Sequence, residues 1–266
     1  MTDELLNRKT YRTDIGPMCM SQNEHARYLA LRAEETPRAK AARLKPYRLV
    51  KAVVFDMDGV IFDSERLVLK SWKMVADREN IPEIEETVRK CLGTNREVSR
   101  RIFLEAYGED FPYDTLKQEA AGIYHRMAGG GKLPLMRGVR ELLGFLREEK
   151  RKIALASSTR EDVVVAELRD AGLLEFFDEV VCGDMLQRSK PEPDIYLMAC
   201  ARIGVDPKEA YAVEDSYNGI RSAYAAGMHP VMVPDMMPPT EEMEEKSEII
   251  LTSLEDLQDY FRVLFS

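Results

Sequence analysis

The sequence predicts an α/β fold, a doubly wound parallel sheet of Rossmann-like type with an inserted small helical cap domain. Three observations carry that expectation. Four apolar residues, Ala52 to Phe55, run straight into Asp56-Met57-Asp58-Gly59, the pattern of a buried parallel strand that ends in a turn. Between about residues 62 and 131 the apolar spacing is helical and no strand pattern interrupts it. From Pro134 onward, helical stretches alternate with short apolar ones to the end of the chain.

Taken in order, residues 1–46 hold few large apolar side chains, and 24–44 reads as a polar, Arg- and Ala-rich helix with little to bury. A mobile or loosely docked extension is expected there. The core domain is expected over 47–65 and 132–266, and the cap over 66–131. In the cap, Leu67, Leu69, Trp72, Val75 and Ala76 give a helix over 65–79, followed by helices over 82–92, 96–107 and 113–127. Residues 62–66 lead into this insert and Gly129-Gly130-Gly131 lead out, as suits a hinge. The core then reads as helix 139–148, strand 153–156, helix 161–171, strand 179–182, helix 194–203, strand 210–213, helix 218–226 and strand 230–233. A short strand over 249–251 and a helix over 254–264 close the chain.

In an open parallel sheet, ligands bind beyond the carboxyl ends of the strands. Asp56 and Asp58, two apart, point the same way if the extended backbone continues, so both can serve one substrate. The second strand ends in Ser157-Ser158-Thr159-Arg160 at the start of a helix, where hydroxyls and free N–H groups suit phosphate or simply cap the helix. After the third strand, prolines stiffen the segment that carries Lys190. The fourth ends in Glu214-Asp215-Ser216, a second acidic pair in which Asp215 or Ser216 can cap the next helix. Crowded carboxylates repel a phosphate dianion, so a hard cation is needed between them, and oxygen ligands with phosphate point to Mg²⁺. Lys190 and the metal would neutralise phosphoryl charge, with Ser157 holding a phosphoryl oxygen.

The stretches DMDGVIFDSE (56–65), ASST (156–159), SKPEPD (189–194) and EDSYNG (214–219) resemble the four motifs of the haloacid dehalogenase superfamily, and the helical insert resembles its small mobile cap. The resemblance implies that Asp56 attacks phosphorus to form an aspartyl-phosphate. Asp58 then protonates the leaving alcohol and later activates water. It implies that Asp56, the backbone carbonyl of Asp58 and Asp215 hold Mg²⁺, with Glu214 as a ligand or acting through water. Lys190 bridges Asp56 and phosphate, and Ser157 and Ser158 line the phosphate site.

An acid at position 58 argues against the dehalogenase and phosphonatase branches. A phosphatase acting on a small phosphorylated metabolite, above all a sugar phosphate, is then expected. The alternative is a mutase similar to β-phosphoglucomutase, whose substrate-gripping loop 92–97 resembles, with Arg96 on a second phosphate. Such mutases carry a histidine where this chain has Val68, and the 214–219 motif also resembles hexose-phosphate phosphatases. A catalytically silent binding protein on the same scaffold is the third reading.

Composition narrows the partners. The chain of 266 residues carries a net charge of −9, and residues 1–50 hold ten Lys/Arg against six Asp/Glu, so the acidic excess belongs to the body. No nucleic-acid partner is expected. No apolar run has membrane-spanning length, and four scattered cysteines with no C-x-x-C spacing suit reduced thiols, so a cytoplasmic protein is expected. His25, His125 and His229 lie outside the four loops, and the Met-rich run 228–237 reads as core.

Overall fold

The computed structural model describes residues 50–266 apart from Asn95, together with Pro37 and Lys40. The extension over 1–46, its helix over 24–44 and His25 otherwise lie outside the described residues. In the core, six strands form one parallel sheet: β1 (Ala52–Phe55), β2 (Lys152–Ser157), β3 (Glu179–Cys182), β4 (Ala210–Glu214), β5 (His229–Met232) and β6 (Ile249–Ile250). Their spatial order is β3-β2-β1-β4-β5-β6, so the chain winds outward from β1 in both directions. The crevice at the carboxyl ends of β1, β2 and β4 is the switch point of that topology.

Alternation along β1 splits the core in two. Val53 and Phe55 join Ile153, Leu155 and Tyr211 on one face, covered by α5 (Val139–Glu148), α6 (Glu161–Asp170) and α10 (Leu254–Phe265). Ala52, Val54, Ala154, Ala156 and Ala212 form the other face, under α7 (Asp194–Ile203) and α8 (Tyr217–Ala225). Alanines there let those two helices approach the sheet closely, whereas the first face is filled by large side chains such as Phe55, Phe261 and Leu142, each fully buried. Burying one such side chain contributes roughly 1.5–3 kcal/mol.

Between β1 and α5 stand four helices, α1 (Ser64–Glu79), α2 (Ile84–Cys91), α3 (Arg96–Tyr107) and α4 (Tyr113–Ala128). They pack around their own apolar cluster of Trp72, Val75, Ile84, Val88, Phe103 and Tyr113, separate from those of the sheet. Trp72 and Phe103 are in ring contact at 4.6 Å. The two linkers run antiparallel: Phe62 bridges Leu135, the Asp63 N–H donates to the Pro134 carbonyl at 2.9 Å, and the Met136 N–H donates to that of Ile61 at 2.9 Å. Gly130 and Gly131 in the exit linker have φ of +70° and +74°, a conformation that glycine adopts without strain.

Element types follow the sequence expectations, and the differences fall at the ends. Helix α1 begins at Ser64, α2 is shorter than 82–92, β2 extends to Ser157, β4 to Glu214, and β5 starts at His229. A further short helix, α9 (Glu241–Lys246), carries the acidic run, with Met243 buried beneath it. Met228 and Met232 are buried at β5, as core residues should be. Cys91, Cys182 and Cys200 are free thiols. No helix among the described residues is long and apolar enough to cross a membrane.

Candidate active site

The four motif segments meet at one place. Asp56, Asp58, Ser158, Thr159, Lys190, Asp215 and Ser216 line a cavity of about 370 Å³, and Gly93, Thr94 and Arg96 close it from the cap side. Asp56 follows β1 directly and its N–H is held by the Val213 carbonyl of β4 at 2.9 Å, so its carboxylate stands on the sheet rim. Gly59 then turns the chain with φ +75°, and a Cβ there would lie 2.3 Å from an Asp215 oxygen. Glycine at 59 is thus required twice, for backbone conformation and for the approach of Asp215.

Lys190 is the cation of the site, with a side chain only 7% exposed. Its Nζ donates to Asp56 Oδ1 at 2.5 Å, to Glu214 Oε1 at 2.6 Å and to the Ala156 carbonyl at 2.9 Å. It also lies 5.1 Å from the Tyr196 ring centroid, and the Tyr196 hydroxyl donates to Glu214 Oε1 at 2.7 Å. The loop carrying Lys190 is tied to α8 by the Ser222 hydroxyl, which donates to the Glu192 carbonyl at 2.6 Å. Burial acts to lower the Lys190 pKa, but the Asp56 and Glu214 carboxylates outweigh it and hold the ammonium above its usual range.

One ammonium does not balance the acids around it. Burial pushes the Asp56 carboxyl up to about 8 against the pull of Lys190, with Glu214 and Asp58 adding repulsion. Burial and the carboxylates of Glu65, Glu214 and Asp56 raise Asp215 well above the ordinary carboxylate range. Oxygens of Asp56, Glu214 and Asp215 lie within 4.8 Å of one another. Buried, mutually repelling oxygen donors of this kind fit a hard divalent cation. Both Glu214 oxygens already accept from protein donors, since the Ser216 hydroxyl reaches Oε2 at 3.0 Å.

Asp58 is placed differently. The Ser64 hydroxyl donates to its Oδ1 at 2.6 Å and the Thr159 hydroxyl to its Oδ2 at 3.1 Å, so its carboxylate is fixed by two neutral donors and no cation. Sequence reasoning placed Thr159 in the hydroxyl-rich phosphate loop and Ser64 within the first motif, but paired neither with Asp58. Ser157 is fully buried and its Oγ accepts the Thr159 N–H at 3.1 Å, while the exposed Ser158 and the half-buried Thr159 line the cavity. None of these hydroxyls caps α6, whose N-cap is Arg160; at α8 Ser216, not Asp215, is the cap and accepts the Gly219 N–H at 3.1 Å.

Glu65 is a further cavity residue that sequence reasoning left unassigned. Burial, with Asp235, Asp58 and Asp56 nearby, pushes its carboxyl up to about 8. Asp235 is itself buried and paired with Arg66 at 2.7 Å. Arg96 is exposed at the cavity wall and pairs with Asp114 at 2.8 Å. Val68 packs against the cap's own apolar cluster. His125 and Glu167 line a different hollow of about 310 Å³ beside the exit linker.

Comparison with known proteins follows the same lines. Residues 50–227 match the family model of haloacid dehalogenase-like hydrolases. The chain is 32% identical to the phosphorylated carbohydrates phosphatase of Thermotoga maritima, over 67% of its own length and 82% of that protein's. It is also 32% identical to the β-phosphoglucomutase of Bacillus subtilis, over 69% and 83%. Among solved structures, CbbY from Rhodobacter sphaeroides in complex with phosphate superposes with a TM-score of 0.63 at 25% identity, covering 79% of this chain and 96% of that one.

Proposed function

Because this chain belongs to the haloacid dehalogenase-like hydrolase family, we propose that it is a Mg²⁺-dependent phosphatase that hydrolyses a small phosphorylated metabolite, a sugar phosphate in the first place. The observation that supports this reading best is the pairing of two aspartates of unlike surroundings in one cavity. Asp56 sits among cation and carboxylates; Asp58 is held by the Ser64 and Thr159 hydroxyls. The first suits a nucleophile and the second an acid and base.

A carboxylate oxygen of Asp56 forms a bond to phosphorus as the bond to the substrate's alcohol oxygen breaks, and Asp58 gives that oxygen its proton. Asp58, now a carboxylate, then takes a proton from a water whose oxygen attacks phosphorus; the Asp56–phosphorus linkage breaks and phosphate leaves. Lys190 keeps the Asp56 carboxylate oriented and offsets phosphoryl charge, and the Ser158 and Thr159 loop faces the phosphoryl oxygens. Asp56 and Asp215 would hold the Mg²⁺, with the backbone carbonyl of Asp58, and Glu214 behind them. When bound, the ion supplies charge neutralisation at the phosphoryl group. The buried Glu65 offers a polyhydroxylated substrate a hydrogen-bond partner, which fits a sugar better than an apolar ester.

A mutase similar to β-phosphoglucomutase is the second reading, favoured by Thr94 and Arg96 at the cavity wall and by the identity to the Bacillus subtilis enzyme. Against it, Val68 is committed to the cap's apolar cluster where a polar contact would be needed. The test is phosphate release from hexose, pentose and small-acid phosphates, β-glucose 1-phosphate included, with and without Mg²⁺. Mg²⁺-dependent release that falls by at least about a thousandfold in Asp56→Asn is expected. Glucose 6-phosphate formation from a bisphosphate primer with little free phosphate would establish the mutase instead. An Asp56→Asn protein with every cellular function intact would leave only the silent binding scaffold.

A further inference from the structure

Over the active site a polar contact joins the cap loop to the core, apart from the Arg66–Asp235 pair at the start of α1. The Asn218 side-chain amide, in the first turn of α8, donates from Nδ2 to the Gly93 carbonyl at 2.8 Å. These residues are 125 apart in the chain, Gly93 following α2 of the cap and Asn218 opening α8 after β4 of the core. The same Gly93 packs so closely on the core that a Cβ at that position would lie 2.8 Å from Ser216 Cβ. Immediately after it come Thr94 and Arg96, the cap side chains at the cavity wall.

The amide is not free to turn over. Arg221 Nη1, one helical turn on, donates to Asn218 Oδ1 at 3.1 Å, and a guanidinium has no acceptor to offer. That bond fixes the oxygen toward Arg221 and leaves the NH₂ for the cap. Arg221 is held in turn by Glu242 of α9, through Nε at 2.8 Å and Nη2 at 2.5 Å. On the cap side, the Thr94 hydroxyl donates to the Cys91 carbonyl at 2.7 Å and pairs with Ser99 Oγ at 2.9 Å, so the loop is stiff where it is gripped. The chain Glu242–Arg221–Asn218–Gly93 runs unbroken from the far edge of the core to the cap loop.

We propose that Asn218, oriented by Arg221 and Glu242, latches the cap loop against the core and so positions Thr94 and Arg96 over the catalytic carboxylates. Asn218 touches no catalytic group; it is a positioning residue for the cap's share of substrate recognition. The inference rests on the phosphatase reading for its kinetic consequences alone. The physical contact stands independently of the reaction.

Asn218→Asp tests it with almost no change of shape. The carboxylate keeps and strengthens the bond to Arg221 but turns an oxygen toward the Gly93 carbonyl, where neither group can donate. Hydrogen–deuterium exchange of segment 92–98 is expected to quicken by about fivefold, the worth of one neutral hydrogen bond. The kcat/KM for the preferred sugar phosphate is expected to fall by a similar factor, chiefly through KM. Turnover of p-nitrophenyl phosphate, whose leaving group has no sugar hydroxyls or second phosphate for the cap to read, should change by less than about twofold. Arg221→Met, which frees the amide to flip, should move the same readouts in the same direction by less, and it serves if Asn218→Asp folds poorly. Unchanged exchange over 92–98 in both variants would overturn the latch. Equal losses on both substrates with a raised Mg²⁺ requirement would also overturn it, by placing the effect in the Asp215–Ser216 turn. If no phosphate ester is hydrolysed by the unmodified protein, the phosphatase reading fails while the exchange comparison still decides the latch.

Discussion

Lys190 concentrates the site's electrostatics in a single residue. It is the only cation bonded to the buried carboxylates of Asp56 and Glu214 among the described residues. Lys190→Met keeps the length of the stem and removes the charge, leaving two desolvated acids with no counterion. The variant is expected to lose about 3 kcal/mol of stability, read by urea unfolding at neutral pH, and at least about a hundredfold in turnover. Lys190→Arg should not restore activity, because a planar fork cannot place three donors where one ammonium now reaches Asp56, Glu214 and the Ala156 carbonyl. Retention of turnover in Lys190→Met would remove the lysine from the mechanism. Lys190 was legible in the sequence because Pro191 and Pro193 stiffen the segment after it and acidic strand ends lie on either side of that segment in the chain. Tyr196 and Ser64 were not, since their hydroxyls matter only through contacts that docking creates; Thr159 was legible as part of a hydroxyl-rich loop, but not its bond to Asp58 across 101 residues of chain.

At the scale of elements, strand positions were legible because apolar runs in a parallel sheet are nearly continuous and end abruptly in polar residues. The edges were less so, and β3 shows why. Its pairing is secured by Asp178, which precedes the strand: the Ile153 N–H of β2 donates to Asp178 Oδ2 at 2.8 Å, while Lys152 and Arg147 approach Oδ1 at 3.2 and 3.4 Å. No local pattern announces a carboxylate that caps a neighbouring strand. Burial acts to raise its pKa, but the backbone hydrogen bond from Ile153 and the cations prevail and hold it below 3.8. A depressed folded-state pKa stabilises the fold above the unfolded value and ceases to do so as pH falls through the folded one. Asp178→Ala is therefore expected to cost about 1–2 kcal/mol in urea unfolding at neutral pH. The gap to the unmodified protein should narrow below about pH 4. A gap that stays constant down to acid pH would mean that packing, not charge, accounts for the loss.

For the whole molecule, the sheet's switch point gathers more negative charge than its own residues neutralise, and stability should depend on pH accordingly. Asp56 and Glu65 are raised to about 8 and Asp215 well above its ordinary value, all chiefly by burial. The metal-free fold therefore binds protons that the unfolded chain releases above about pH 4, so its stability declines as pH rises from there toward 8. A divalent cation at Asp56 and Asp215 removes that penalty, and it competes with protons for the same oxygens. In EDTA-treated protein the Tm is expected to fall between about pH 5.5 and 8. Added Mg²⁺ at a fixed concentration, a hundredfold its Kd at pH 8, stabilises by roughly 2.7 kcal/mol there, or about 5–10 °C in a chain of this size. That increment should be largest near pH 8 and shrink toward 5.5, and it should be absent in Asp215→Asn at both. An increment equal across the range, or one that survives Asp215→Asn, would place the cation elsewhere on this acidic protein and separate the metal from the carboxylates on which the proposed chemistry depends.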